Sequence, residues 1–411
     1  MSNRGHCRFC DAILKTTFVD LGMSPLSNSY LDARQTGDME RFFPLYVWVC
    51  DACFLVQLEE FETPEAIFSD YAYFSSYSDS WVSHARRYAQ TMIPRFSLGP
   101  SSQVMEVASN DGYLLQFFVE AGIPALGIEP AANVAAEAEK KGVPSLVRFF
   151  GRTLANELAA SGRQADLLAG NNVFAHVPDI NDFVAGIQIV LKPEGVATLE
   201  FPHLLRLIEG NQYDTVYHEH FSYLSLLSVE KVLAAHGLSV FDVEEIPTHG
   251  GSLRVFAQRR EAGRKIEDGV DRVRKAEAAF GLDRRETYLA FAKQVGENRL
   301  SVLEFLIKAK REGRKVAGYG APAKGNTLLN YCGVRSDLMS FTVDRSPHKQ
   351  GKFLPGVHIP ISAPERIAQE HPDYVVILPW NLRDEVMEQM AGIREWGGKF
   401  VTFIPKVQVH S

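Results

Sequence analysis

Between residues 217 and 223 the chain reads YHEHFSY, so two histidines, a glutamate and two tyrosines share seven positions. Three roles suit such a run: a metal site, an acid/base site, or a polar loop with no reaction to perform. The metal reading fits least well, because His218 and His220 alternate like strand residues and the H-E-x-x-H spacing of a helical zinc site is absent. An imidazole titrates near neutral pH without help, where proton abstraction is most efficient, so a general base fits better. His220 is the first candidate. Adjacent residues do not usually face each other, and His218 takes the role if the loop turns the other way.

Four of the five cysteines are paired, Cys7 with Cys10 in CRFC and Cys50 with Cys53 in CDAC. That spacing lets each pair of thiolates hold one tetrahedral zinc, and four thiolates leave no open position for a substrate, so the ion is structural; a redox dithiol is the lesser alternative. Cys332, in LLNYCG, reads as a small buried hydrophobe.

A third constellation lies in EVASNDGYLLQ. A strand that ends in a tight turn and opens a helix presents backbone N–H groups to a ligand at the carboxyl edge of a parallel sheet. Glu106, Ser109, Asn110, Asp111 and Gly112 occupy that turn, which lacks the G-x-G-x-x-G of a dinucleotide fold. Glu129, at the tip of the next strand in GIEP, suits the two hydroxyls of a ribose. Together these fit S-adenosylmethionine better than NAD, although Glu129 as a solvated strand end and Asn110 and Asp111 as helix caps is the plainer reading. Asn171, Asn172 and His176, in AGNNVFAHVPD, follow another strand tip and belong to the same edge.

These residues need a scaffold, and the pattern supplies one. QVMEVAS, ALGIEP, ADLLAGNNVF and GVATLEFP read as strands separated by helices, which means a parallel sheet covered on both faces. LSVFDVEEIPTHGGSLRVFAQR then reads as an antiparallel hairpin at the edge. After a charged helical stretch, GRKVAGYGAPAKG starts a second alternation with LMSFTVD and DYVVILPW as strands. The expected fold is therefore α/β in four parts. Residues 1–65 form a zinc-binding module and 66–262 a central Rossmann-like domain with the S-adenosylmethionine edge. Residues 263–312 form a helical connector, and 313–411 a smaller Rossmann-like α/β domain. In GYGAPAKGNTLL a diphosphate at the helix N-terminus would find Lys324 as counter-charge, with Lys352 a second candidate; glycines that serve packing alone are the alternative.

Composition sets limits. Of 411 residues 46% are hydrophobic and 23% charged, and the net charge of −7 gives no general attraction to nucleic acid. The N-terminus lacks the apolar core of a signal peptide and no run of about 18 apolar residues occurs, so a cytoplasmic protein without a membrane partner is expected.

The motifs carry a resemblance over nearly the whole chain. The cysteine pairs, YAYFSSYS, EVASNDGYLL, NNVFAHVPD, YDTVYHEHFSYLS, HGGSLRVF, GYGAPAKGNTLLN and DRSPHKQGKFLPG follow one another as in the sugar C-methyltransferases that act on nucleotide-linked keto-deoxysugars, of the C3-methyltransferase type. The CxxC pairs are generic, whereas YHEHFSY with GYGAPAKG is specific. The resemblance implies S-adenosylmethionine and zinc as cofactors and a dTDP-linked 4-keto-deoxysugar as substrate. It implies a class I methyltransferase fold for residues 66–262 and His220 as the base, with Glu219 and Tyr217 beside it and Tyr71 and His176 lining the site; the oligomeric state stays open, a monomer being one reading. Tyr73, His218, His249, Lys324 and Lys352 are the expected substrate contacts. An NAD-dependent oxidoreductase or epimerase of a sugar nucleotide, with Asp344 on the ribose, is the competing enzyme; a zinc scaffold with vestigial clefts is the third reading.

Overall fold

The computed structural model describes residues 5–63 and 75–410; Tyr71 and Tyr73 lie outside them. The chain forms two compact units, each assembled from non-consecutive segments. The first comprises residues up to Leu14, Cys50–His203 and Phe221–Asp283, and the second Lys15–Val49, Leu204–His220 and Arg284 to the C-terminus.

In the first unit a seven-stranded sheet contains β1 (Val104–Val107), β2 (Ala125–Ile128), β3 (Ser145–Leu146), β4 (Ala165–Asn171), β5 (Leu191–Pro202), β6 (Leu238–Ile246) and β7 (Ser252–Arg259). Its order is β3-β2-β1-β4-β5-β7-β6, with β1 to β5 parallel and β7 antiparallel to both neighbours. All four residues of β1 are buried, as expected of a strand covered on both faces. The order reverses between β1 and β4, and a crevice outside the carboxyl ends at such a point is where α/β sheets bind ligands. Helix Asp79–Arg95 starts where Ser78 accepts from the Trp81 N–H, and buries Ala85, Tyr88, Ala89 and Met92 in the core with Leu114, Phe118 and Phe256. The strand Val56–Leu58 pairs antiparallel with Ser222–Tyr223.

The second unit holds a six-stranded sheet of β8 (Val316–Tyr319), β9 (Thr342–Val343), β10 (Ile361–Ser362), β11 (Tyr374–Ile377), β12 (Lys399–Thr402) and β13 (Gln408–His410). The order is β10-β9-β8-β11-β12-β13, parallel except for β13. The antiparallel strands Thr16–Ser24 and Phe43–Val49 belong to this unit, as does the 27-residue helix Arg285–Arg311. Phe18 stacks on Phe291 of that helix, with ring centroids 4.6 Å apart.

The glycines of GYGAPAKG serve close packing. A Cβ on Gly320, at φ +87°, would stand 2.6 Å from Pro379 Cδ, and one on Gly325 would stand 2.9 Å from Leu378 Cβ.

Candidate active site and zinc centre

The two cysteine knuckles share one construction. The N–H of Asp11 donates to the Cys7 carbonyl and that of Phe54 to the Cys50 carbonyl, both at 2.9 Å. Asp11 and Phe54 each take a positive φ, 59° and 65°, so each turn closes back on its cysteine. The four Sγ atoms lie within 4.8 Å of one another, with Cys7–Cys53 and Cys10–Cys50 at 3.6 Å. A tetrahedron of Zn–S bonds of about 2.3 Å has edges of about 3.8 Å, so the cluster fits one zinc. Hydrogen bonding with Cys50 and then Cys53 pulls the Cys7 thiol far below the ordinary thiol range.

At the carboxyl edge of β1 the expected methyl-donor residues come together. The Glu129 carboxylate accepts from the N–H groups of Asn110 and Ala131, each at 2.9 Å. Burial raises its pKa and those two bonds oppose the rise. A carboxylate offers about four acceptor positions, so two remain for further donors. Asn110, at φ +49°, accepts through Oδ1 from the Ser75 N–H at 2.8 Å, and Asp111 bonds Ser76 and Lys141. Gly112 takes φ +75° with Val143 and Ala138 against it, which fixes the turn. Glu106 is fully buried beside Tyr113; burial pushes its pKa well up, and the Tyr113 hydroxyl opposes this. Ser109 Oγ and Asn172 Oδ1 are sealed from solvent without a partner among the described residues. Those two groups and the spare Glu129 positions suit the two ribose hydroxyls and the ammonium group of S-adenosylmethionine.

Asn172, at φ +54°, donates its N–H to the Glu200 carbonyl at 2.8 Å, and its Nδ2 lies 3.2 Å from His249 Nε2. His176 ends the 3-10 turn Phe174–His176, and Asn171 is the last residue of β4. Spacing had not singled out the aromatic residues of this edge. Trp81 stacks on His84 at 4.9 Å and on Tyr113 at 6.0 Å, and meets His249 edge-on at 5.3 Å. His84 Nε2 donates to Glu200 Oε1 at 2.9 Å, and Arg254 Nη2 to Glu200 Oε2 at 3.0 Å. Burial works to raise the Glu200 pKa, but His84 and Arg254 outweigh it and the carboxyl sits below its usual range.

In the second unit the residues of YHEH are fixed one by one. His220 Nδ1 lies 2.9 Å from the Thr215 carbonyl oxygen, which only accepts, so Nδ1 carries a proton and Nε2 is the ring nitrogen that can exchange one. The Tyr217 ring lies 4.0 Å from the His220 ring. Glu219 accepts from Asn28 Nδ2 at 2.6 Å, and burial raises its pKa against that bond. His218 Nε2 donates to the Pro44 carbonyl at 3.2 Å; burial lowers its pKa to about 4, so it stays neutral and anchored. Asp214 accepts from Trp380 Nε1 at 2.7 Å, and Thr327 Oγ1 donates to the Val216 carbonyl at 2.9 Å. Lys324 donates to Asn381 Oδ1 at 2.5 Å, stands over the Trp380 ring and faces Asp214 electrostatically. Lys352 is half-buried, its backbone paired with Ile361. Asp344 uses its carboxylate on the N–H groups of Ala321 and Ser346, each at 2.8 Å, rather than holding it out for a ribose.

Comparison with known proteins completes the picture. Residues 7–68 match a zinc binding domain, 81–243 a methyltransferase domain and 247–405 a C-methyltransferase C-terminal domain. The chain is 36% identical to the C-methyltransferase NovU of Streptomyces niveus over 98% of its own length and 96% of that protein's. The chain belongs to the C-methyltransferase family. It is a C-methyltransferase with S-adenosylmethionine as cofactor and a zinc site at the four cysteines. A ubiquinone biosynthesis O-methyltransferase from Bartonella bacilliformis is 25% identical over 160 residues, 36% of this chain and 64% of that one. Among solved structures, magnesium protoporphyrin IX methyltransferase of Synechocystis PCC 6803 covers 44% of this chain and 82% of its own (15% identity, TM-score 0.33). The PH0226 protein of Pyrococcus horikoshii covers 48% and 99% (14% identity, TM-score 0.37). Among the described residues no helix is long and apolar enough to cross a membrane.

Proposed function

We propose that this C-methyltransferase acts on a nucleotide-linked 4-keto-deoxysugar, dTDP-linked, at C3, the carbon next to the ketone. The observation that carries the reading is the Thr215 carbonyl on His220 Nδ1, which makes Nδ1 the donor and Nε2 the ring nitrogen that would take the substrate's proton. The substrate class rests on the order of the motifs and on YHEHFSY with GYGAPAKG in one chain.

His220 Nε2 takes the proton, and the C–H electron pair becomes the enolate double bond while the ketone oxygen gains charge. Tyr217, or Tyr71, donates a hydrogen bond to that oxygen. Bound S-adenosylmethionine supplies an electrophilic methyl. Held by Glu129 and the turn after β1, it would be the methyl source for the enolate carbon, and the donor on the ketone oxygen would steady the charge until the ketone is restored. Glu219, held by Asn28, helps to set the dielectric and orientation around the base.

Glu106, Ser109, Asn110, Asp111, Gly112, Glu129, Asn171 and Asn172 hold the cofactor, with His176 at the site. Residues 313–411 take the nucleotide, and Lys352 is the better counter-charge for its diphosphate because Lys324 already faces Asp214. Tyr73, His218 and His249 complete the substrate contacts, His218 through the backbone it anchors. The enzyme works in the cytoplasm. Incubation with S-adenosylmethionine and a dTDP-4-keto-6-deoxyhexose tests the reading by mass spectrometry. A product heavier by one methylene supports it, and loss of label from C3-deuterated substrate fixes the position. No product from any keto-sugar nucleotide would discard the substrate class.

A further inference from the structure

Arg8 sits between the first zinc ligands, yet its contacts lead away from them. Its N–H donates to Gln57 Oε1 at 2.8 Å, and Gln57 Nε2 lies 3.2 Å from Cys7 Sγ. Its guanidinium donates through Nη1 to the Pro178 carbonyl at 2.8 Å and through Nη2 to the Leu58 carbonyl, and lies over the Phe221 ring at 5.4 Å. The carbonyls of Arg8 and Phe9 accept from Asn181 Nδ2 at 3.1 and 3.0 Å, and Asn181 Oδ1 accepts from His236 at 2.8 Å.

Pro178 closes the loop that starts at Asn172. The loop is pinned at its beginning by the Asn172 N–H on the Glu200 carbonyl and in its middle by the Phe221 N–H on the Ala175 carbonyl, both at 2.8 Å. Arg8 supplies the pin at the far end, so His176 lies between two fixed carbonyls.

We propose that Arg8 is a positioning residue that ties the first zinc knuckle to the loop Asn172–Pro178, so that zinc loading and affinity for the methyl donor are linked. The proposal rests on the reading that this loop borders the cofactor. An ionised fork across two carbonyls is a strong, directional pair of bonds, and nothing else holds Pro178 in the same way among the described contacts.

The test uses full-length zinc-loaded protein. Zinc content, S-adenosylhomocysteine affinity by calorimetry and hydrogen exchange of the amides of residues 173–177 are measured for wild type, Arg8→Met, Arg8→Lys and Asn172→Ala. Expected are one zinc per chain in Arg8→Met, affinity weaker by about tenfold and faster exchange in the loop. Arg8→Lys recovers part of the affinity, since an ammonium still reaches one carbonyl. Unchanged affinity and exchange in zinc-loaded Arg8→Met would overturn the proposal. Zinc loss in both Arg8 variants would overturn it too, because the arginine would then serve the metal and not the loop. If Asn172→Ala binds like wild type, the reading of the loop fails; if it binds weakly while Arg8→Met does not, only the role of Arg8 fails.

Discussion

Asp214 offers the sharpest stability prediction. It is fully buried in the 3-10 turn Tyr213–Thr215, just ahead of YHEHF, and burial lifts its pKa from 3.8 to about 6, with Lys324 and Trp380 opposing the rise. Below about pH 4 both folded and unfolded chains keep the proton, and the group has no effect on stability. Between about pH 4 and 6 the unfolded chain ionises first, so the folded state loses stability as pH rises. A shift of roughly two units at 1.36 kcal/mol each makes the full cost ~3 kcal/mol above about pH 6. Asp214→Asn keeps an acceptor for Trp380 and removes the charge. Urea unfolding of both proteins at about pH 4, 5, 6 and 7.5 should give a variant-minus-wild-type difference near zero at the lowest pH that grows to ~3 kcal/mol in favour of the variant. A pH-independent difference would refute the reasoning. The variant should also bind substrate differently, because Lys324 loses its partner.

Other outcomes follow from the same contacts. Cys50→Ala should lower zinc below one per chain in mass spectrometry and lower the midpoint of thermal unfolding by several degrees, since so short a module buries little apolar area. Glu129→Ala should weaken S-adenosylhomocysteine binding by about 10- to 100-fold in calorimetry, through lost ribose contacts and the unpaired N–H groups of Asn110 and Ala131. Arg254→Met should destabilise the fold by ~3 kcal/mol in urea unfolding, because Glu200 is left buried with only His84 against its charge.

What could be read from the sequence depended on how local the cause was. β1, β2 and β4 were legible as apolar runs because parallel strands are buried on both faces. The knuckles were legible because zinc spacing lies within four residues. GYLLQFFVEAG promised a longer helix than Gln116–Glu120, since the positive φ of Gly112 spends the preceding residues in turns. LMSFTVD yielded only Thr342–Val343 as strand. Glu106, Asn110 and Glu129 came from strand-tip reasoning one by one, whereas the pairing of Glu106 with Tyr113 and of Asn110 with Glu129 came only from the fold. Asn28 on Glu219 bridges 191 positions, and no spacing rule reaches that far. Thr215, which fixes the His220 tautomer, acts through a backbone carbonyl and so leaves no mark in residue type. Trp81 and His84 looked like ordinary helix residues until the fold set them beside Glu200. Nor did any motif announce that residues 15–49 pack with 204–220 and 284–411.

The central claim is that His220 removes the proton next to a ketone. Solvent exchange measures this step without methyl transfer: a dTDP-4-keto-6-deoxyhexose is incubated in D₂O with S-adenosylhomocysteine and either wild type or His220→Ala, and the C3 proton signal is followed by NMR. The account predicts loss of the C3 signal with wild type, slowing by about 10²- to 10⁴-fold in the variant, and unchanged S-adenosylhomocysteine affinity. Equal exchange in both proteins would contradict it.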